Sequence, residues 1–203
     1  MFPEIIKELL MRSLLIIIFI FFLGSSSFAQ NFDIDLLNKI NFPPSTTSDK
    51  TWEFITHTTL PLSFATPITM FITGVAKHDN DLKIKSYTTG ASIIITSLLT
   101  SGIKIAVKRE RPFVAYPELI YKKSSASGYS FPSGHTSVAF ATATSLSLAF
   151  PKWYVIVPAY TYAAAIGYSR MYLGVHYPTD VLAGILVGMG TSFLSYHLQK
   201  SFN

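Results

Sequence analysis

The stretch SRMYLGVHYPTD, residues 169–180, runs without a break into VLAGILVGMGTSFLSYH, residues 181–197. The first piece carries Arg170, His176 and Asp180; the second has no Asp, Glu, Lys or Arg. Apolar side chains fall all round a helix built from the second piece, so it must be buried or lipid-facing on every side. Pro178 suits the first turn of that helix. Gly184 and Gly188 repeat at four-residue spacing, which lets helices approach closely in a membrane. Ionisable residues thus stand at the mouth of an apolar helix.

Working outward, four further apolar segments lie at 54–76, 87–107, 136–150 and 153–168, and Lys104 is the one charged residue within the set. Ser97 and Ser101 repeat the four-residue spacing. Three of the five segments are shorter than the roughly 20 residues that span a bilayer. Flanking Trp153, Tyr154, Tyr168 and Tyr196 extend them into the interface. An all-α, membrane-embedded bundle of five apolar core helices is favoured over a tightly packed soluble helical core. Composition agrees. Of 203 residues only 13% are charged and 49% are hydrophobic, against about 25% charged in soluble domains. Mean hydropathy is +0.38. This excludes a disordered chain and argues against an ordinary soluble enzyme. The absence of cysteine excludes thiol nucleophiles, cysteine zinc sites and iron–sulfur clusters.

Residues 1–29 read as a secretory signal: Lys7 and Arg12, an apolar run from Ser13 to Leu23, then small residues ending Ser27-Phe28-Ala29. Cleavage after Ala29 is the favoured reading; retained, the segment is a sixth membrane helix. Residues 30–53 form an amphipathic linker. Phe32, Ile34, Leu36, Leu37, Ile40 and Phe42 mark its apolar face, either on the membrane surface or packed on the bundle. Pro43-Pro44 ends it, and residues 45–50 read as a loop.

Topology follows from charge. With the mature N-terminus exported, Lys77, Lys83, Lys85, Lys152 and Lys200 face the cytoplasm, as the positive-inside rule prefers. The exported side then holds residues 104–111, Lys122, Lys123 and Arg170, which oppose the rule. The net charge of +5 gathers at segment ends with no basic stripe, so no nucleic-acid partner is expected.

Three clusters on the exported side carry chemistry. Lys104 and Arg111, seven apart, project from one helical face and suit a bound phosphate; Lys108 and Arg109 point elsewhere, to solvent or headgroups. In Pro132-Ser133-Gly134-His135, Ser133 is a helix N-cap, the amides after it form an anion site, and Gly134 permits close approach. His135 faces that anion as a proton donor. In the third cluster Asp180 holds one ring nitrogen of His176, leaving the other as nucleophile or base. Metal binding is the weaker option for so cationic a site. His57, His78 and His197 read as structural.

Lys104-x6-Arg111-Pro112, Pro132-Ser133-Gly134-His135 and Ser169-Arg170-x5-His176-x3-Asp180 together resemble the three-part signature of the type 2 phosphatidic acid phosphatase (PAP2) family. The resemblance covers residues 54–199, and residues 54–203 are taken as the phosphatase domain. It implies that His176 attacks phosphorus, Asp180 orients it, and His135 protonates the leaving oxygen and then activates water. It implies that Lys104, Arg111, Arg170, Ser133 and Gly134 bind the phosphate, with no cofactor and no metal. The implied function is hydrolysis of lipid phosphates or diphosphates at the periplasmic face of a bacterial-type inner membrane: undecaprenyl diphosphate, phosphatidylglycerophosphate, phosphatidate or lipid A phosphates. The implied partners are that phosphorylated lipid and the membrane. The alternative is a soluble periplasmic acid phosphatase. The loop 113–129, with Lys122 and Lys123, is expected to shape headgroup choice.

Overall fold

The structure is a computed structural model that describes residues 26–202. Most of the expected signal segment, residues 1–25, lies outside the described residues. The chain divides into two units, Met1–Asp35 and Leu36–Asn203. Of the first, residues 26–35 are the opening turns of helix α1 (Ser26–Ile40).

Within the second unit, the end of α1 packs on the bundle. Leu37 is fully buried. Asn41 Nδ2 donates to Tyr172 O at 2.8 Å and to Tyr121 O at 3.1 Å, while its Oδ1 accepts from Tyr121 N at 2.7 Å. Residues 45–50 are not a loop: α2 (Thr46–His57) begins there. The Ser45 amide donates to Asp49 Oδ2 at 2.8 Å, so a first-turn carboxylate satisfies the backbone and starts the helix. The apolar segment 54–76 is likewise broken. α2 ends at Thr58, whose hydroxyl bonds Ile55 O and Tyr162 Oη at 2.7 Å each, and α3 (Thr59–Ala76) follows.

The remaining helices are α4 (Asn80–Val107), the short α5 (Pro112–Ala115), α6 (Gly134–Ala149), α7 (Trp153–Tyr172) and α8 (Pro178–Phe202). No strand occurs among the described residues. α6 is central and touches α3, α4, α7 and α8. Its 16 residues give only about 24 Å of helix, and residues 136–141 are buried in succession. It is short because protein, not lipid, surrounds it.

Surface and core are inverted relative to a water-soluble protein. On α4 the buried face is Ser86, Thr89, Ser92, Ile93, Thr96 and Thr100. Ile93 aside, its large aliphatics mostly point out: Leu98 is 68% exposed while Thr96 is 0%. In lipid, hydroxyls inside and Leu or Ile outside is the stable arrangement. Ser92 and Ser192 bond at 2.8 Å, and Thr96 and Thr191 at 2.5 Å, joining α4 to α8. Ser97 and Ser101 do not join helices; each bonds a carbonyl of its own helix. Gly184 and Gly188 are where α8 meets α6. A Cβ on Gly184 would sit 2.8 Å from Ser133 O, and one on Gly188 would run into Ser137 O. The stretches Thr46–Ala76, Asn80–Ala115 and Pro178–Ser201 are each long and apolar enough to cross a bilayer. This is a membrane protein.

Helix direction sorts the charges. Lys77, Lys83, Lys85, Lys152 and Lys200 fall at one set of helix ends. Lys104, Arg111, Ser133, Arg170 and His176 fall at the other.

Candidate active site

The last turn of α7 and the first turn of α8 deliver the third cluster. α7 ends in a Schellman motif: Gly174 N bonds Met171 O at 2.9 Å, and Val175 N bonds Arg170 O at 3.1 Å. Gly174 takes φ +73°, and a Cβ there would collide with Tyr121 O. The reversal leaves Arg170 in the final turn and sends His176 to the N-terminus of α8. There Asp180, in the first turn, accepts from the Tyr177 amide at 3.0 Å, one half of a capping box.

His176 is 2% exposed and Asp180 is fully buried. Asp180 Oδ2 lies 3.3 Å from His176 Nδ1, and Arg111 Nη1 lies 3.3 Å from His176 Nε2. A guanidinium has donors and no acceptor. Nε2 therefore presents its lone pair, and the ring proton sits on Nδ1, towards Asp180. Burial holds the imidazole well below the usual histidine range, against the pull of Asp180 in the other direction. His176 is a neutral imidazole with Nε2 turned to the cations.

Those cations come from separate elements. The expectation that Lys104 and Arg111 share a helical face does not hold. α4 stops at Val107, and Lys108 is left-handed at φ 52°, ψ 33°. Arg111 is extended, at φ −77°, ψ 152°, as the N-cap of α5; a residue before proline is disfavoured in a helix. Arg111 nevertheless reaches the site. Its Nε bonds Gly128 O at 3.0 Å, Nη2 bonds Ser127 O at 2.8 Å, and Nη1 bonds Val175 O at 2.8 Å. Lys104 Nζ bonds Tyr129 O at 2.8 Å and Ser130 O at 3.0 Å. Arg170, 4% exposed, donates from Nη1 to Thr56 Oγ1 at 2.9 Å, and its buried Nε has no hydrogen-bond partner. His135, half-buried in the first turn of α6, is within electrostatic reach of Arg170, Arg111, Lys104 and His57.

Gly134 opens α6, and Ser133 is its N-cap by position. The Ser133 hydroxyl does not cap, however. It bonds Thr136 Oγ1 at 2.8 Å, while the Ser133 amide bonds Asp180 O at 3.0 Å. The first amides of α6 lack intrahelical acceptors, as at any helix start.

The structure thus brings together all eight residues singled out by sequence. It also adds some that sequence reading missed. Arg109, expected to face solvent or headgroups, instead pairs with Asp180 at 2.8 Å. Ser130 also bonds Asp180. Thr56 holds Arg170, and His57 next to it, read as structural, lies near His135. One signal was available. Proline at 112 forces Arg111 out of the helix, and in extended chain residues i and i+2 share a side, which groups Arg109 with Arg111. Nothing in the sequence marks Thr56. Lys123, expected to shape headgroup choice, is buried against Asp49 at 3.3 Å and the Tyr172 ring at 3.9 Å. It pins the loop to α2.

Over residues 85–203 the chain matches the profile of the PAP2 superfamily. The chain belongs to the PAP2 superfamily. Among curated relatives, undecaprenyl-diphosphatase of Sulfolobus acidocaldarius is 36% identical over 110 residues, covering 54% of this chain and 53% of that one. Lipid A 1-phosphatase of Rhizobium johnstonii is 32% identical over 108 residues, covering 51% and 43%. The chain spans about half the length of the curated relatives it matches. Solved structures cover more. Aquifex aeolicus LpxE aligns with a TM-score of 0.71 at 27% identity, over 82% of this chain and 95% of that one. The transmembrane PAP2-type phosphatidylglycerolphosphate phosphatase from Bacillus subtilis aligns with a TM-score of 0.70 at 26% identity, over 93% and 96%. The membrane PAP2 bundle is therefore the fold of this chain.

Proposed function

We propose that this protein is a phosphatase of membrane lipid phosphates or diphosphates that works through a phosphohistidine and needs no metal ion. The observation that carries this reading is the buried, neutral His176, its Nε2 beside Arg111 and its Nδ1 on Asp180. Nε2 attacks phosphorus while the bond to the leaving oxygen breaks. Burial and the nearby Arg170, Arg111 and Lys104 lower the proton affinity of His135 in the free protein. The anionic phosphate of the substrate offsets those cations, so His135 is protonated in the substrate complex and gives that oxygen its proton. Water then attacks the phosphohistidine, returns a proton to His135, and frees inorganic phosphate and His176. Phosphoryl transfer depends mainly on positioning and charge stabilisation. Lys104, Arg111, Arg170 and the first amides of α6 supply that charge around the phosphoryl oxygens, with Ser133 and Gly134 letting the backbone approach.

Lipid substrates are supported by the inverted surface, which sets the site at the end of an apolar bundle, and by the relatives named as lipid phosphatases. A periplasmic site is supported by the lysines at the opposite end, which the positive-inside rule places in the cytoplasm. Residues 1–29, as export signal or as first helix, leave that orientation unchanged.

The test is phosphate release by detergent-purified protein, with EDTA present. The panel holds undecaprenyl diphosphate, phosphatidylglycerophosphate, phosphatidate, lipid A and a soluble monoester. EDTA-resistant release from a lipid, lost in His176→Ala, is the expected result. Preference for the soluble ester moves the protein to the acid phosphatase reading, and chelator-sensitive release overturns the mechanism.

A further inference from the structure

Four donors converge on the Asp180 carboxylate. Oδ2 receives His176 Nδ1, the Tyr177 amide and the Ser130 hydroxyl. Oδ1 receives Arg109 Nη1 at 2.8 Å. Arg109 is itself fixed: Nη1 also donates to Thr179 Oγ1 at 2.7 Å, and the guanidinium lies 3.8 Å from the Tyr177 ring centre. Arg109 and Ser130 are also joined through their backbones, since Ser130 N donates to Arg109 O at 2.8 Å. Lys104 in turn holds Ser130 O.

We propose that Arg109 and Ser130 are paired positioning residues for the PAP2 reaction, a two-point clamp that fixes the Asp180 carboxylate and thereby the ring orientation and tautomer of His176. This rests on the reading of His176 as nucleophile. The physical grounds are charge and geometry. A fully buried carboxylate needs a compensating cation, and a lone imidazole Nδ1–H at 3.3 Å is a weak partner for it. Arg109 supplies the charge on Oδ1, so Oδ2 stays available to the ring. Ser130 fixes the rotation of the carboxylate plane, because it reaches Oδ2 from the loop before α6, outside the helix that carries Asp180. The linker 108–111 therefore splits its two arginines by task. Arg111 lies against Nε2, where phosphate arrives; Arg109 lies against the carboxylate behind Nδ1.

The clamp separates from phosphate binding by kinetics. Arg109→Ala is expected to lower kcat at least tenfold, with KM and the inhibition constant of inorganic phosphate within about twofold of wild type. Arg109→Lys, which keeps the charge, is expected to restore most of kcat. Ser130→Ala is expected to lower kcat severalfold with the same unchanged KM. A rise in the phosphate inhibition constant that matches the fall in kcat makes Arg109 a phosphate ligand and overturns the proposal, as does unchanged kcat in both variants. If Arg109→Ala does not fold, Arg109→Gln, which removes the charge but keeps most of the bulk, and Ser130→Ala carry the same comparison. A readout without turnover is the ¹⁵N spectrum of labelled His176. In wild type it shows the Nδ1–H tautomer. In Arg109→Ala it is expected to show mixed tautomers, and an unchanged spectrum overturns the clamp even if no lipid phosphate proves to be a substrate. Absence of turnover in wild type, by contrast, counts against the phosphatase reading alone.

Discussion

Arg170 Nη1 donates to Thr56 Oγ1 at 2.9 Å, a bond between residues 114 apart in the chain that makes α2 part of the site. Both side chains are buried, so breaking the bond leaves a donor without water. Thr56→Val keeps the shape and removes the acceptor. We expect a loss of about 1–3 kcal/mol in stability, read as a lower melting temperature in detergent. We also expect kcat/KM to fall about tenfold, equivalent to roughly 1.4 kcal/mol of transition-state stabilisation. Unchanged kcat/KM would detach α2 from the chemistry.

The three cations are expected to act together rather than as spares. Lys104→Ala, Arg111→Ala and Arg170→Ala should each lower kcat by about 10²–10³, the scale of removing one preorganised donor from a developing charge. Each should also weaken inhibition by inorganic phosphate. A variant with normal phosphate inhibition would show that its cation does not touch the phosphoryl group.

Close approach of α6 and α8 makes a graded prediction. A Cβ added at Gly190 would meet nothing within 4 Å, whereas one at Gly188 meets the α6 backbone at Ser137. Gly190→Ala should be neutral or stabilising by up to about 1 kcal/mol. Gly188→Ala should cost about 1–3 kcal/mol or more through overpacking. Gly184→Ala presses on the carbonyl of Ser133 and should lower activity as well as the melting temperature. Thermal unfolding of the three variants in one detergent checks the order.

Acid should destabilise the fold through His176. Its folded value is depressed by burial, so below about pH 6.5 the unfolded chain takes up a proton that the folded chain refuses. Stability is lost as pH falls through that window, at up to about 1.4 kcal/mol per pH unit from this one group. His176→Gln removes the titration. Its melting temperature should fall less steeply than that of wild type from about pH 6.5 down to about pH 4.5, and parallel curves would contradict the assignment.

The pieces of the candidate site were legible because their spacing is local. His176 and Asp180 are four apart across a helix start marked by Pro178, and Pro132 to His135 is one helix entrance. The membrane bundle was legible from apolar runs interrupted by small residues. What sequence did not carry was long-range. Thr56 looks like any threonine in an apolar run, and its role depends on α2 packing against α7. Ser133 has the residue type of a capping side chain, but burial beside Thr136 gives it another partner. Lys104 and Arg111 do converge, yet not through helical periodicity, because Lys108 turns left-handed and Pro112 keeps Arg111 extended.

The most direct test is to trap the intermediate. Purified protein is mixed with a lipid substrate carrying ³²P in the phosphoryl group that is transferred, quenched under denaturing alkali, and its protein-bound label mapped. The account predicts label on His176 that survives base and is released by acid, and no label in His176→Ala. Label on another residue, or retained in His176→Ala, would contradict it, as would turnover by wild type with no base-stable protein label at any quench time.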